Sequence, residues 1–127
     1  MIFDNESPAN KSGVLGWHWF VDFFECAKLP TEPVILEAIL VTAAEMAGAT
    51  VVQSCFHQFS PHGLSGVVVI AESHLAAHTW PEHHALCLDI FSCSQKIHAQ
   101  IAIDYIAERI QARKTDQRHV SRGNLLN

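Results

Sequence analysis

Gly63-Leu-Ser-Gly-Val-Val-Val-Ile-Ala-Glu-Ser-His-Leu-Ala-Ala-His-Thr-Trp-Pro-Glu82, and after it Leu88-Asp-Ile-Phe-Ser-Cys93, is the stretch around which the chain is organised. An apolar strand, Val67 to Ala71, runs without a turn residue into Glu72, Ser73, His74, His78, Glu82 and, further on, Cys93. Val67 and Val69 on one parity are as apolar as Val68 and Ile70 on the other. A strand that is apolar on both faces calls for cover on both: helices on one side and a second subunit on the other.

Working outward, residues 50–59 read as a second strand and Ser60-Pro61-His62-Gly63 as the turn before the apolar strand, which spans about 64–72. Residues 32–47 place Ile35, Leu36, Ile39, Leu40, Ala43 and Ala47 on one helical face, with Thr31 as N-cap and Gly48 as the stop. The aromatic-rich segment 14–26 is a first strand. Downstream, 74–80 stays extended until Pro81 and 84–92 is another strand. Ser94 caps a helix over about 95–113 with Ala99, Ala102, Ile103, Ile106 and Ile110 inward, and 118–123 is a short closing strand. The order β-α-β-β-(β)-β-α-β implies an α+β fold, a two-layer sandwich of an antiparallel sheet with two helices on one face. Residues 1–13 read as a flexible tail and 14–123 as a single domain.

At 127 residues the chain can bury one core without disulfide staples. No apolar run approaches the ~20 residues of a membrane span, and the acidic, polar start lacks the features of an export signal. The formal charge of −5 and the absence of a basic cluster argue against nucleic acid as a partner. Cys26, Cys55, Cys87 and Cys93 include no Cys-x-x-Cys pair, which suits free thiols in the cytoplasm.

Three chemistries are open to these side chains. His74, His78, His83, His84 and Cys87 suggest a metal site, but on an extended strand His74 and His78 stand about 13 Å apart, too far to share one zinc. No metal is therefore expected, and His83-His84 reads as a solvated turn. Ser73, His78 and Glu82 or Asp89 supply hydrolase groups without the Gly-x-Ser-x-Gly elbow. Cys93 with His78 could form a nucleophilic pair. The residues by themselves define a polar, His/Cys/Ser-rich site at strand ends and do not select a reaction.

The string Glu72-Ser-His-Leu-Ala-Ala-His-Thr-Trp-Pro-Glu82, with Leu88-Asp-Ile-Phe-Ser-Cys93, resembles the short prokaryotic S-adenosylmethionine decarboxylase proenzymes. Phe23-Phe24-Glu25-Cys26, Gly48-Ala-Thr50 and Phe56-His-Gln-Phe59 extend the resemblance over about residues 15–122. It implies a proenzyme that cuts itself between Glu72 and Ser73 into a β chain of 1–72 and an α chain of 73–127. Ser73 would attack the Glu72 carbonyl in an N-to-O acyl shift, elimination would then leave a dehydroalanine, and its hydrolysis with loss of ammonia would give a pyruvoyl cofactor. His78 would be the processing base for elimination and Ser65 would assist. The pyruvoyl would form a Schiff base with the substrate amine, and Cys93 would be the proton donor after loss of carbon dioxide. Phe24 and Phe59 would sandwich the adenine and Glu82 would hold the ribose diol.

The product would be the aminopropyl donor for spermidine, and the active form a homodimer with shared sites. The sequence departs from the family pattern at Trp17, at His83-His84-Ala85-Leu86-Cys87 and at Ser94. Relatives on this scaffold act on arginine or ornithine, so a basic amino acid is the alternative substrate.

Overall fold

The structure, a computed structural model, describes residues 13–125. The tail expected over 1–13 lies outside the described residues except for Gly13, whose carbonyl accepts the Leu125 amide at 2.7 Å.

Six strands form one sheet: β1 (Val14–Cys26), β2 (Val51–Gln58), β3 (Leu64–Ile70), β4 (Ser73–Trp80), β5 (Ala85–Ser92) and β6 (Ala112–Asn124). Their spatial order is β2-β3-β4-β5-β1-β6, and every neighbouring pair is antiparallel. Two helices, α1 (Pro33–Met46) and α2 (Ala99–Ile110), pack against each other and on the sheet, α1 over β2 and β3, α2 over β1 and β6. The expected two-layer α+β sandwich is the observed architecture, and the strand bracketed in the sequence reading is β4.

The side-chain period of two divides the sheet cleanly. Val21 and Phe23 of β1, Val68 and Ile70 of β3, Leu75 and Ala77 of β4, and Leu86, Leu88 and Ile90 of β5 are buried against the helices. Leu36, Ile39, Leu40, Ala43 and Ala44 of α1 and Ala102, Ile103, Ile106 and Ile110 of α2 close that core from above. Among the described residues no helix covers the opposite face, which presents His18, Phe20, Val67, Val69, His74, His78, Asp89 and Phe91.

Several local expectations are corrected. Ile35 is exposed, because the buried stripe of α1 runs through Leu36, Leu40, Ala43 and Ala44 and leaves Ile35 at its rim. The α1 N-cap is Glu32, not Thr31, and no side chain caps it; Pro33 at the first position has no N–H to satisfy. Gly48 ends the helix as expected, at φ +90°. Ser94 does not cap α2, whose N-cap is His98. It sits instead in a turn where its amide donates to Ser92 Oγ at 3.0 Å and its own Oγ accepts the Lys96 amide at 3.1 Å. The closing strand is longer than expected: β6 pairs with β1 from Cys26↔Ala112 to Val14↔Asn124.

Gly66 shows how closely the sheet is built. It faces Phe56 across the β2–β3 ladder, and a Cβ added there would overlap the Phe56 ring. Phe56 is partly buried and packs against the core, so displacing the ring gives up those contacts. Gly66→Val is expected to destabilise the fold by about 1–3 kcal/mol, the usual cost of overpacking. A lowered urea midpoint with an unchanged slope is the signature of that loss.

Candidate active site

The β3–β4 connection is a two-residue hairpin, since Ile70 pairs with Ser73. Such turns ordinarily place positive φ on Gly or Asn inside the loop. Here the loop residues are Ala71 and Glu72, and positive φ falls on the next residue: Ser73 has φ +152°. That region is nearly reserved for glycine and costs of order 1–3 kcal/mol. The strain therefore sits directly on the residue C-terminal to the Glu72–Ser73 bond.

The groups around that bond are well fixed. The Cys93 amide donates to the Glu72 carbonyl at 2.9 Å, and the Thr50 amide donates to Glu72 Oε1 at 3.1 Å. Ser73 is 8% exposed and lies opposite the fully buried Ser92. Its hydroxyl is 3.3 Å from His74 Nδ1. Cys93 is buried, and burial pushes its thiol pKa up, with the nearby Glu72 charge adding to the rise. Cys93 therefore keeps its proton at neutral pH.

His18 and His74 both face Phe91 across the ladders, one from β1 and one from β4. His18 Nε2 is 3.2 Å from Asp89 Oδ1, and Arg122 Nη1 is 3.0 Å from His18 Nδ1. The Arg122 guanidinium also lies 5.6 Å from the Phe91 ring centre. Burial holds the His74 pKa below its ordinary value, His18 lowers it further, and Asp89 partly opposes the shift. Sequence alone does not bring His18, Phe91 and Arg122 together, and it leaves Asp89 and His74 as hydrolase or metal groups. Their shared parity with Phe20 and Phe91 was the available signal, but it acquires meaning only once the register is known.

The remaining predicted residues gather elsewhere. Ser65 and His78 are cross-strand partners at the far end of β3 and β4. The His78 ring lies 4.4 Å from Trp80, tilted by 50°, and 5.7 Å from Phe59, whose ring meets His57 edge-on at 4.6 Å. Glu82, in a short 3-10 turn (Pro81–His83), pairs with His62 at 3.5 Å. Phe24 lies at that same end, beside His83, His84 and Arg113. It is on β1, four strands from β2, so about 19 Å separates it laterally from Phe59. Five residues of extended β4, about 16 Å, separate Ser73 from His78. The chain thus gathers these side chains in two groups at opposite ends of its sheet: Glu72, Ser73, His74 and Cys93 at one, Ser65, His78, Phe59, Glu82 and Phe24 at the other.

The chain is thus a two-layer α+β fold with a buried serine at φ +152° directly after a hairpin whose Glu72 carbonyl is anchored by the Cys93 amide. The family profile described as S-adenosylmethionine decarboxylase matches residues 17–123, and the chain belongs to that family. The S-adenosylmethionine decarboxylase proenzyme of Acetivibrio thermocellus is 43% identical over 110 residues, 86% of this chain and 89% of that protein. The proenzyme of Pelotomaculum thermopropionicum is 49% identical over 88 residues, 69% of this chain and 70% of its own. Among solved structures, the crystal structure of the adenosylmethionine decarboxylase from Aquifex aeolicus VF5 superposes with a TM-score of 0.77 at 33% identity, covering 87% of this chain and 92% of that one. Among the described residues no helix is long and apolar enough to cross a membrane.

Proposed function

We propose that the chain is a proenzyme that cuts itself between Glu72 and Ser73 and then decarboxylates S-adenosylmethionine, giving the aminopropyl donor of spermidine synthesis. The observation that carries the self-cleavage is the pairing of strain and anchorage at that bond. Ser73 has φ +152°, while the Glu72 carbonyl is already held by the Cys93 amide at 2.9 Å. An acyl shift from nitrogen to oxygen gives up amide resonance, so it profits from a destabilised ground state and a preset donor for the developing oxyanion. The shift forms a bond from Ser73 Oγ to the Glu72 carbonyl carbon and breaks the bond to the Ser73 nitrogen, which takes the hydroxyl proton. The Ser73 α-proton then leaves to a base, and the Glu72 carboxylate departs with residues 1–72.

Position 73 fits a pyruvoyl group: it is buried, carries a hydroxyl on the right carbon skeleton, and lies beside Cys93. A pyruvoyl group supplies the electron sink for decarboxylation. Cys93, its thiol kept protonated by burial, is suited to return a proton to the substrate carbon. Phe59 and Phe24, at 42% and 38% exposure, are aromatic surfaces left open to stack an adenine, and Glu82 is the carboxylate for a ribose diol.

His78 and Ser65 cannot reach Ser73 of their own chain across about 16 Å. A two-fold axis through the uncovered sheet face brings the Ser73 end of one protomer against the His78 end of its partner, and does so twice. A homodimer on this face supplies the elimination base in trans, covers Val67 and Val69, and lets Phe24 and Phe59 of different copies approach. The cytoplasm is the compartment this reading implies, and four cysteines outside any disulfide suit it.

The test is release of labelled carbon dioxide from carboxyl-labelled S-adenosylmethionine, arginine and ornithine by the purified protein, with intact mass read in parallel. Turnover of the nucleoside substrate together with chains of 1–72 and 73–127 is the expected result. Preference for either free amino acid would overturn the substrate assignment.

A further inference from the structure

We infer that His74 is the catalytic base of the acyl shift, taking the Ser73 hydroxyl proton within its own protomer, a step separate from the elimination performed by His78. The inference rests on the self-cleavage reading and divides its labour between two histidines. His74 Nδ1 lies 3.3 Å from Ser73 Oγ, whereas His78 of the same chain is about 16 Å along the strand. Apo distances of this kind are commonly loose and tighten as the reaction proceeds.

The His74 ring is held where it is needed. Phe91 lies at 5.9 Å from its centre and His18 meets it edge-on at 6.4 Å. Its surroundings also keep it a base: partial burial and the neighbouring His18 favour the neutral ring, so Nδ1 can be free to accept. The step balances without any co-reactant. Nδ1 takes the hydroxyl proton as Oγ attacks the Glu72 carbonyl carbon. The tetrahedral centre collapses, the C–N bond breaks, and the imidazolium returns the same proton to the departing Ser73 nitrogen. The product is an ester with a free amine, and His74 is regenerated.

The groups that face His74 set its pH response: His18 from β1 with Arg122 of β6 behind it, Asp89 and the apolar Phe91 from β5, Val69 from β3, and Ser73 beside it. The shift should therefore quicken as pH rises through a midpoint below 6.5 and level off near neutrality. Asp89→Asn removes the negative charge that favours the cation and moves the midpoint down. His18→Gln removes a competing positive charge and moves it up.

The experiment pulse-synthesises precursor without cells, shifts it to a chosen pH, and follows cleavage by gel with and without hydroxylamine, which cuts the ester but not the amide. His78→Ala should accumulate a chain that hydroxylamine splits at Glu72–Ser73. His78→Ala combined with His74→Gln should form that ester about 10²-fold more slowly or worse, the usual contribution of a general base. Equal rates of ester formation in the two would overturn the inference while leaving self-cleavage intact. If the double variant fails to fold, the pH profile of the wild type decides. A sigmoid displaced in the stated directions by Asp89→Asn and His18→Gln supports His74, and a flat profile between pH 5 and 8 overturns it. A wild-type chain that never cuts would sink the self-cleavage reading and this inference together.

Discussion

Ser73→Ala is expected to leave a chain that never divides at position 72 and that decarboxylates nothing. Alanine lacks the oxygen that attacks and the leaving group that elimination needs, so neither the ester nor the pyruvoyl can form. The loss should be complete within measurement, at least about 10⁶-fold, the lower end of enzymatic acceleration. Ser73→Gly should be equally uncut, which makes the two variants a clean pair for reading the strain. Alanine must hold φ +152° as serine does, whereas glycine adopts it freely. Against a strain of 1–3 kcal/mol stands the extra chain entropy that glycine loses on folding, so the glycine variant should be the more stable by about 1 kcal/mol. For a domain of this size that is a rise of about 4 °C in the unfolding midpoint over Ser73→Ala. Equal midpoints would mean that the hairpin stores no strain on this bond.

The fold was largely legible because its central strand advertises itself. Val67, Val68, Val69 and Ile70 are apolar on both parities, and the helix periods of Leu36, Leu40, Ala43 and of Ala102, Ile103, Ile106 supply cover for only one side. The hairpin was less legible. Ala71 and Glu72 are not turn residues, so the apolar strand reads on to Glu72 and the reversal goes unseen. The same mismatch that hides the turn moves the positive φ onto Ser73. A local conflict of this kind is expected where a bond has a function, as self-cleavage would give this one. β6 was read too short because Arg113 to Arg122 carries no apolar alternation. As a largely exposed edge strand it is held by its ladder to β1 and needs none.

The site was legible by resemblance and not by spacing. Ser73, Cys93 and Glu72 lie together, but His18 and Arg122 are 104 residues apart and His18 and Asp89 are 71 apart. Only the register of β1 with β5 and β6 joins them. The reverse also holds: Ser73 and His78 are five positions apart in sequence, yet the extended strand between them keeps them about 16 Å apart. Nearness in sequence misleads wherever the intervening chain is straight.

That separation yields the second large effect. If the elimination base comes from the partner, Ser73→Ala and His78→Ala must each be inactive alone yet complement each other when co-expressed. In a mixed dimer the His78→Ala chain contributes Ser73 and Cys93 to one site, and the Ser73→Ala chain contributes His78 and Ser65 to the same site. The second site of that dimer lacks both groups and stays dead. Random pairing of equal amounts makes about half of all dimers mixed, each with one working site of two, so about a quarter of wild-type activity should return. Only the His78→Ala chain should be cut, which different affinity tags on the two chains will show by mass. A site built wholly within one protomer predicts no recovery at any mixing ratio. The dependence on ratio is also diagnostic, because activity should peak at equal expression and fall on either side. If two such sheets lie antiparallel, the serine at one end of β4 meets the histidine at the other end of the partner's β4, and the partner would cover the aromatic face that no helix among the described residues covers.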